Sequence, residues 1–299
     1  MSDIPTHEYY RDQINSLNRI PSLPIIAVEL MQITREDNFS VNQILPVIER
    51  DPPLAMKVLK IANSAYYGMR RKVESLRHAL VVIGMKELND LSLGFSVMKT
   101  LSDSENDSNL EWDKLWEHSS GVGHIAQLLQ EKMGIQTTSS TYALGLLHDI
   151  GKIILYRLEP TIYLDVIEYA ERERTSSHVA EQQLLGIDHM TIGAWVAEKW
   201  QLPVSICEAI RFHHHPDAVE NSEIRISTAL VQLANIIANL NSISFGTRFQ
   251  RSILSEEEGW KILMQVAPKI SEIDFERFVM EIEDEVHTIK DMVHLLGTE

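Results

Sequence analysis

A chain of 299 residues with 44% hydrophobic side chains is long enough to bury one large core or two smaller ones. Its net charge of -16 argues against non-specific nucleic-acid binding and against docking on anionic membranes, and the single cysteine, Cys207, excludes an intrachain disulfide and a thiolate zinc cluster. The opening MSDIPTHEYYRDQ lacks the basic and apolar regions of a signal peptide, and no stretch approaches the ~20 apolar residues of a membrane span, so the expected location is the cytoplasm.

Helical periodicity runs through the chain. SLPIIAVELMQIT places Ile25, Val28, Leu30 and Met31 near one face, with Pro24 suited to a first turn. SVNQILPVIER opens with Ser40 and Gln43 spaced as a capping box, and Pro46 belongs near its start or at a kink. Asp51-Pro52-Pro53 is a break, after which Pro53 opens a helix with Leu54, Val58, Ile61 and Ala62 on one side and Gly68 as its stop. Ser75 caps the next segment, which Gly84 divides into two helices. The polar tract from Ser102 to Asn109 reads as a linker, so residues 1–105 are expected to form a small helical unit and residues 106–299 a larger one.

In the second unit LEWDKLWEHSSGVGHIAQLLQEKM, STYALGLLHDIGKIILYRL and TIYLDVIEYAERER each read as a helix. HMTIGAWVAEKW ends near Pro203, PVSICEAIRFHHH ends before Pro216, and SEIRISTALVQLANIIANLN is a buried helix. SEEEGWKILMQVA begins with Ser255 and Glu258, again spaced as a capping box. A closing helix carries Ile273, Phe278, Ile282, Val286, Ile289 and Val293 as a stripe. No strand alternation, repeat or low-complexity tract interrupts this pattern.

The chemistry lies in polar residues where an apolar face is due. His148 and Asp149 sit inside ALGLLHDIGKIIL, where an unpaired charge is costly and a divalent cation or a hydrogen-bond network must compensate Asp149 and Lys152. His118, His189, the pair His213 and His214, and Asn235 lie on other predicted helices. A helical bundle can bring such elements onto one centre. Each has a plainer reading. A buried His-Asp pair is more often a structural hydrogen bond, His124 falls off the His118 face, and His215, His78, His178, His287 and His294 read as surface residues. Arg70, Arg71 and Lys72 read as a solvated loop, Trp195 and Trp200 as core, and Cys207 as a small buried apolar residue.

The H…HD…H…HH order around HDIGK resembles the HD superfamily of metal-dependent phosphohydrolases. Taken together, IPSLPIIAVELMQI, VIERDPPLAMKVLKIANSAYYG, HALVVIGMKEL, HSSGVGHIAQLL, GLLHDIGKIIL, LLGIDHMTIGAWVAEKWQLP and AIRFHHHP resemble more closely the HD-related output domain family, HDOD, from about Pro21 to Pro216. The resemblance implies an all-α fold, with a small N-terminal helical bundle packed on a larger HD-like bundle. It implies His118, His148, Asp149, His189, His213 and His214 as ligands of one or two divalent transition ions (Fe, Mn or Zn). Asp149 would bridge, and Lys152 would meet a phosphate oxygen in catalytic relatives. Asn235 stands where the superfamily carries its last aspartate, which removes one negative charge and makes it a weak ligand. The glycine-tyrosine-proline signature of the cyclic-dinucleotide phosphodiesterases is replaced by HHHPDAVEN. The implied role is an output or adaptor module in bacterial signal transduction, working with an unidentified signalling protein or a small nucleotide ligand. The alternative is a metal-dependent phosphohydrolase acting on a nucleotide or cyclic nucleotide.

Overall fold

The computed structural model describes residues 6–16, 22–34, 40–64, 67–102, 111–245 and 253–267, together with Val286. Among these residues the regular structure is helical, with no strand.

Helix α1 spans His7–Asn15, α2 Ile25–Thr34, α3 Val41–Glu49, α4 Pro52–Ala62, α5 Leu76–Ile83 and α6 Met85–Ser102. Side chains start several of them as the sequence dictates. Asp51 Oδ1 accepts from the Leu54 N–H at 3.1 Å to open α4, and Ser75 Oγ accepts from His78 at 3.2 Å to open α5. At α3 Gln43 Oε1 accepts from the Ser40 N–H at 2.8 Å, and Pro46 lies inside the helix. Gly84 adopts φ +88°, a region costly for any residue with a Cβ, and there the chain turns from α5 into α6. Asn63 pins the loop beyond α4 by exchanging two bonds with Val73, at 2.7 and 2.8 Å, and Arg70, Arg71 and Lys72 of that loop are exposed. Helix α6 is the spine of this part, packing on α2, α3, α4 and α5 and, on its other side, on the second part of the chain.

The second part comprises α7 (Trp112–Met133), α8 (Thr141–Leu147), α9 (Ile150–Leu158), α10 (Pro160–Glu173), α11 (Ser177–Leu185), α12 (His189–Lys199), α13 (Val204–Phe212), α14 (Ser222–Leu240) and α15 (Glu258–Val266). Helix α7 lies between α8 and α14, and α12 lies between α9 and α13. Glycine permits the closest of these approaches. A Cβ on Gly145 would stand 2.7 Å from the Gly123 Cα, so α8 and α7 meet backbone to backbone. A continuous apolar cluster runs from Tyr10 to Val286 through both parts, including Trp200 and Cys207.

Four expectations need correction or completion. STYALGLLHDIGKIILYRL is two helices, α8 and α9, broken at His148 and Asp149. Neighbours on one helix diverge by about 100° around its axis, so only a break lets both side chains aim at one centre. At α15 the cap position is Glu257, and Ser255 lies in the preceding 3-10 turn Leu254–Glu256, so the expected capping box is absent there. Trp195 is half-buried rather than core, with the Arg11 guanidinium 4.9 Å above its ring and His7 edge-on at 5.9 Å. This places α1 against α12. The closing helix lies outside the described residues apart from Val286, which is buried.

Where α6 meets the second part, Glu87 Oε1 accepts from Ser140 Oγ at 2.7 Å and from Gln127 Nε2 at 2.9 Å. Burial pushes the Glu87 carboxyl up to about 7, and Asp90 adds to the rise, while the bonds from Ser140 and Gln127 and the charge of Lys86 oppose it. An acid raised on folding contributes its stability below its unfolded value, near 4.5, and loses it as pH climbs through 7. Glu87→Gln is therefore expected to melt with the parent at pH 4.5 and several degrees above it at pH 8, as scanning calorimetry at the two pH values would show. Equal melting temperatures at pH 8 would contradict the burial of this charge.

Candidate metal centre

Five helices deliver the site. His118 comes from the second turn of α7, His148 and Asp149 from the α8–α9 break, Lys152 from α9, His189 from the first position of α12, and His213 from the end of α13. All are buried: His148, His189 and His213 show no exposed surface, His118 and Asp149 1%, and Lys152 5%.

Asp149 is the hub. Its Oδ2 lies 3.3 Å from His118 Nε2, 3.3 Å from His148 Nε2 and 2.6 Å from Lys152 Nζ. Its Oδ1 lies 3.2 Å from His189 Nε2 and 3.6 Å from His213 Nε2. The structure thus brings imidazoles from four places in the sequence to one carboxylate, each facing it through Nε2.

The outer edge of every ring explains why. His118 Nδ1 donates to the Ile243 carbonyl at 2.8 Å, His148 Nδ1 to Gly145 at 2.6 Å and His213 Nδ1 to Ile210 at 2.9 Å. His189 Nδ1 donates to Glu181 Oε2 at 2.6 Å. Carbonyl and carboxylate oxygens only accept, so each Nδ1 carries a proton and each ring turns its Nε2 inward. His118 Nε2, His148 Nε2 and Asp149 Oδ1 are buried without a hydrogen-bond partner. The Nε2 atoms of His189 and His213 stand 3.2 Å apart, where two lone pairs repel unless a cation or a proton lies between them. Imidazole Nε2 atoms gathered around a shared carboxylate suit a transition ion better than magnesium. His118, His148 and Asp149 form one group able to hold an ion; His189, His213 and His214 form a second.

The electrostatics are those of a carboxylate under strong compensation. Burial alone would raise Asp149, yet His148, Lys152 and His118 hold it well below the usual carboxylate range. Burial drives His118, His213 and His214 down, so these rings stay neutral. For His189 burial is outweighed by Glu181 and Asp149, which raise it to about 9.

The remaining expected residues divide. His214 is half-buried at the rim, its ring 4.3 Å from that of His213 and 5.5 Å from that of His189, and its Nε2 is buried and unpartnered. Asn235 is buried on α14, and its Oδ1 accepts from Asn239 Nδ2 at 2.8 Å. His215 is exposed as expected. His124 is buried; its ring stands edge-on to Tyr142 at 4.6 Å, its Nδ1 meets the Ser120 carbonyl at 2.9 Å, and burial lowers it to about 4. His178, expected on the surface, is half-buried with its ring 4.4 Å from His214.

Sequence reasoning missed Glu181 and Tyr163. Glu181 is fully buried and orients His189 twice, accepting from its backbone N–H at 2.8 Å as well as from its ring, while Tyr163 donates to the other oxygen at 3.3 Å. An acid following Val179-Ala180, shortly before a candidate ligand histidine, was the available signal.

The HDOD domain family model matches residues 20–216, about two thirds of the sequence and the whole of this histidine set. The chain belongs to the HDOD family. A solved HDOD domain protein of unknown function from Geobacter sulfurreducens shares the fold, with a TM-score of 0.79 at 23% identity over 96% of each chain. An uncharacterized protein of Treponema pallidum (strain Nichols) is 28% identical over 242 residues, which is 80% of this HDOD chain and 46% of that protein. Ribonuclease Y of Aquifex aeolicus is 30% identical over 112 residues, 38% of this chain and 15% of the enzyme. The chain thus spans under half the length of these curated relatives.

Proposed function

We propose that this HDOD protein is a regulatory output module whose histidine-aspartate centre holds one or two transition ions as an internal staple. The observation that carries this reading is enclosure. The groups converging on Asp149 are at most 5% exposed, whereas a hydrolytic metal centre keeps a position open to substrate and water. Lys152, the residue suited to a substrate phosphate, instead points inward and pairs with Asp149 at 2.6 Å. Ions at the centre would tie α7, α9, α12 and α13 together, so metal occupancy would set the rigidity of the platform offered to a signalling partner or a small ligand.

A metal-dependent phosphohydrolase is the second reading, and His214 favours it. Its ring is half-buried where the other ligand candidates are buried, so a phosphoester would approach the centre on this side. A bound ion would supply Lewis-acid polarisation of a phosphoryl oxygen and an acidified water. In that reading Lys152 would have to release Asp149 to bind substrate.

One preparation tests both. Protein purified without chelator or nickel affinity steps is assayed for metal, then incubated with bis-p-nitrophenyl phosphate and with cyclic dinucleotides. The regulatory reading expects about one or two ions per chain and no turnover. Metal below about a tenth of an equivalent removes the staple, and turnover abolished by Lys152→Met establishes the enzyme.

A further inference from the structure

A cavity of about 320 Å³ opens at the junction of the two parts of the chain, at the opposite end of α8 from the histidine centre. Ile83 to Glu87 form one wall, Gln127 and Gln130 of α7 a second, and Thr137 to Thr141 a third. Its volume falls at the lower end of small-molecule sites, which run from about 300 to 1,000 Å³.

The lining is already ordered by its own hydrogen bonds, and those bonds leave particular atoms for a guest. Both described bonds to Glu87, from Ser140 and Gln127, end on Oε1, so Oε2 is left as an acceptor. Gln130 Oε1 accepts from Thr141 Oγ1 at 2.8 Å, which leaves the Gln130 amide nitrogen as a donor. Asp90, one turn beyond Glu87 and outside the lining, accepts from the Ser140 N–H at 3.2 Å and so helps to fix that wall. Lys86 is the cation among the lining residues, and it is exposed. The one carboxyl among the lining residues, Glu87, is half-buried while Lys86 is exposed, so the wall offers a phosphate or carboxylate no buried cation.

We propose that this cavity is a binding site for a small amino- or amidine-bearing molecule of nucleobase size, presenting an N–H to Glu87 and a ring-nitrogen or carbonyl acceptor to Gln130. Such a guest would offset the burial of Glu87 by charge-assisted hydrogen bonding. The site is independent of whether the histidine centre carries metal. Its position makes it an input point, because the same seven-residue helix is gripped by Glu87 and Asp90 at Ser140 and leads directly into His148 and Asp149 at its other end.

The test is calorimetric titration of the full chain, as purified and after chelation, with benzamidine and adenine as probes and benzoate and adenosine monophosphate as anionic controls. At least one of the two probes is expected to bind one to one below about 1 mM, and both controls at least about tenfold more weakly. Glu87→Gln is expected to weaken the probe about tenfold or more. Thr138→Trp, a change at an exposed rim residue that leaves the core untouched, is expected to block it by filling the mouth. The proposal is overturned if neither probe saturates up to about 10 mM, if Glu87→Gln binds the better probe as the parent does, or if either anionic control binds as well as that probe. Metal-free protein that still binds leaves the site standing even where the metal staple fails.

Discussion

Asp149→Ala should produce the largest loss of stability of any single change at the centre, and should also empty it of metal. Asp149 is the one carboxylate facing four imidazole Nε2 atoms and the Lys152 ammonium. Truncation leaves Lys152, 5% exposed, as an uncompensated buried cation, and breaking such a pair from one side costs about 3–5 kcal/mol. Urea unfolding of metal-free protein isolates this electrostatic part. Adding Lys152→Met to Asp149→Ala should restore most of the loss, because the stranded charge is then gone, while metal content stays below about a tenth of an equivalent. If the double variant is as unstable as the single one, or if either retains metal, Asp149 is not the hub described above.

Gly151→Ala is expected to be almost as damaging without removing any polar group. A Cβ built on Gly151 would lie 1.8 Å from the His189 carbonyl oxygen and 2.8 Å from the Gly193 nitrogen. Both obstacles are backbone, so no rotamer change relieves them, and α9 and α12 must move apart. Overpacking of this kind costs about 3 kcal/mol or more. It would also carry His189 away from Asp149, so metal affinity should fall although no ligand has changed. Gly94→Ala is the control, since its nearest neighbour is the flexible end of Leu146 at 3.1 Å. Equal melting temperatures for the two variants would show that the α9–α12 approach tolerates spreading.

The sequence made some of this legible and not the rest, for identifiable reasons. Helix-forming segments and their ends were readable at Ser40, Ser75 and Gly84 because capping and positive φ are local chemistry. Convergence on Asp149 could be anticipated because unpaired His and Asp in apolar runs need a common solution. The break at His148 could not, since ALGLLHDIGKIIL keeps an unbroken apolar pattern and only the packing forces the turn. The ring anchors escaped too: Ile243, Gly145 and Ile210 act through their carbonyls, and a backbone oxygen leaves no mark on residue type. His178 was misjudged because local polarity does not tell whether the end of another helix, here His214 after α13, will cover it.

The seating of α1 has a consequence for anyone dividing the molecule. His7 bonds the Gly186 carbonyl at 3.1 Å, Tyr9 donates to Glu159 at 3.0 Å, Lys199 meets the Ile14 carbonyl, and Tyr10 and Ile14 are buried. Helices α2 to α6 thus come between two segments of the histidine-bearing body in sequence, and they pack back onto that body where α6 meets α8. A recombinant piece starting at Glu111 would strip Arg11 and His7 from the indole of Trp195 and open an apolar scar beside α12. Joining α1 to α7 through a short designed loop would keep that scar closed but would bare the face of α8 that α6 covers.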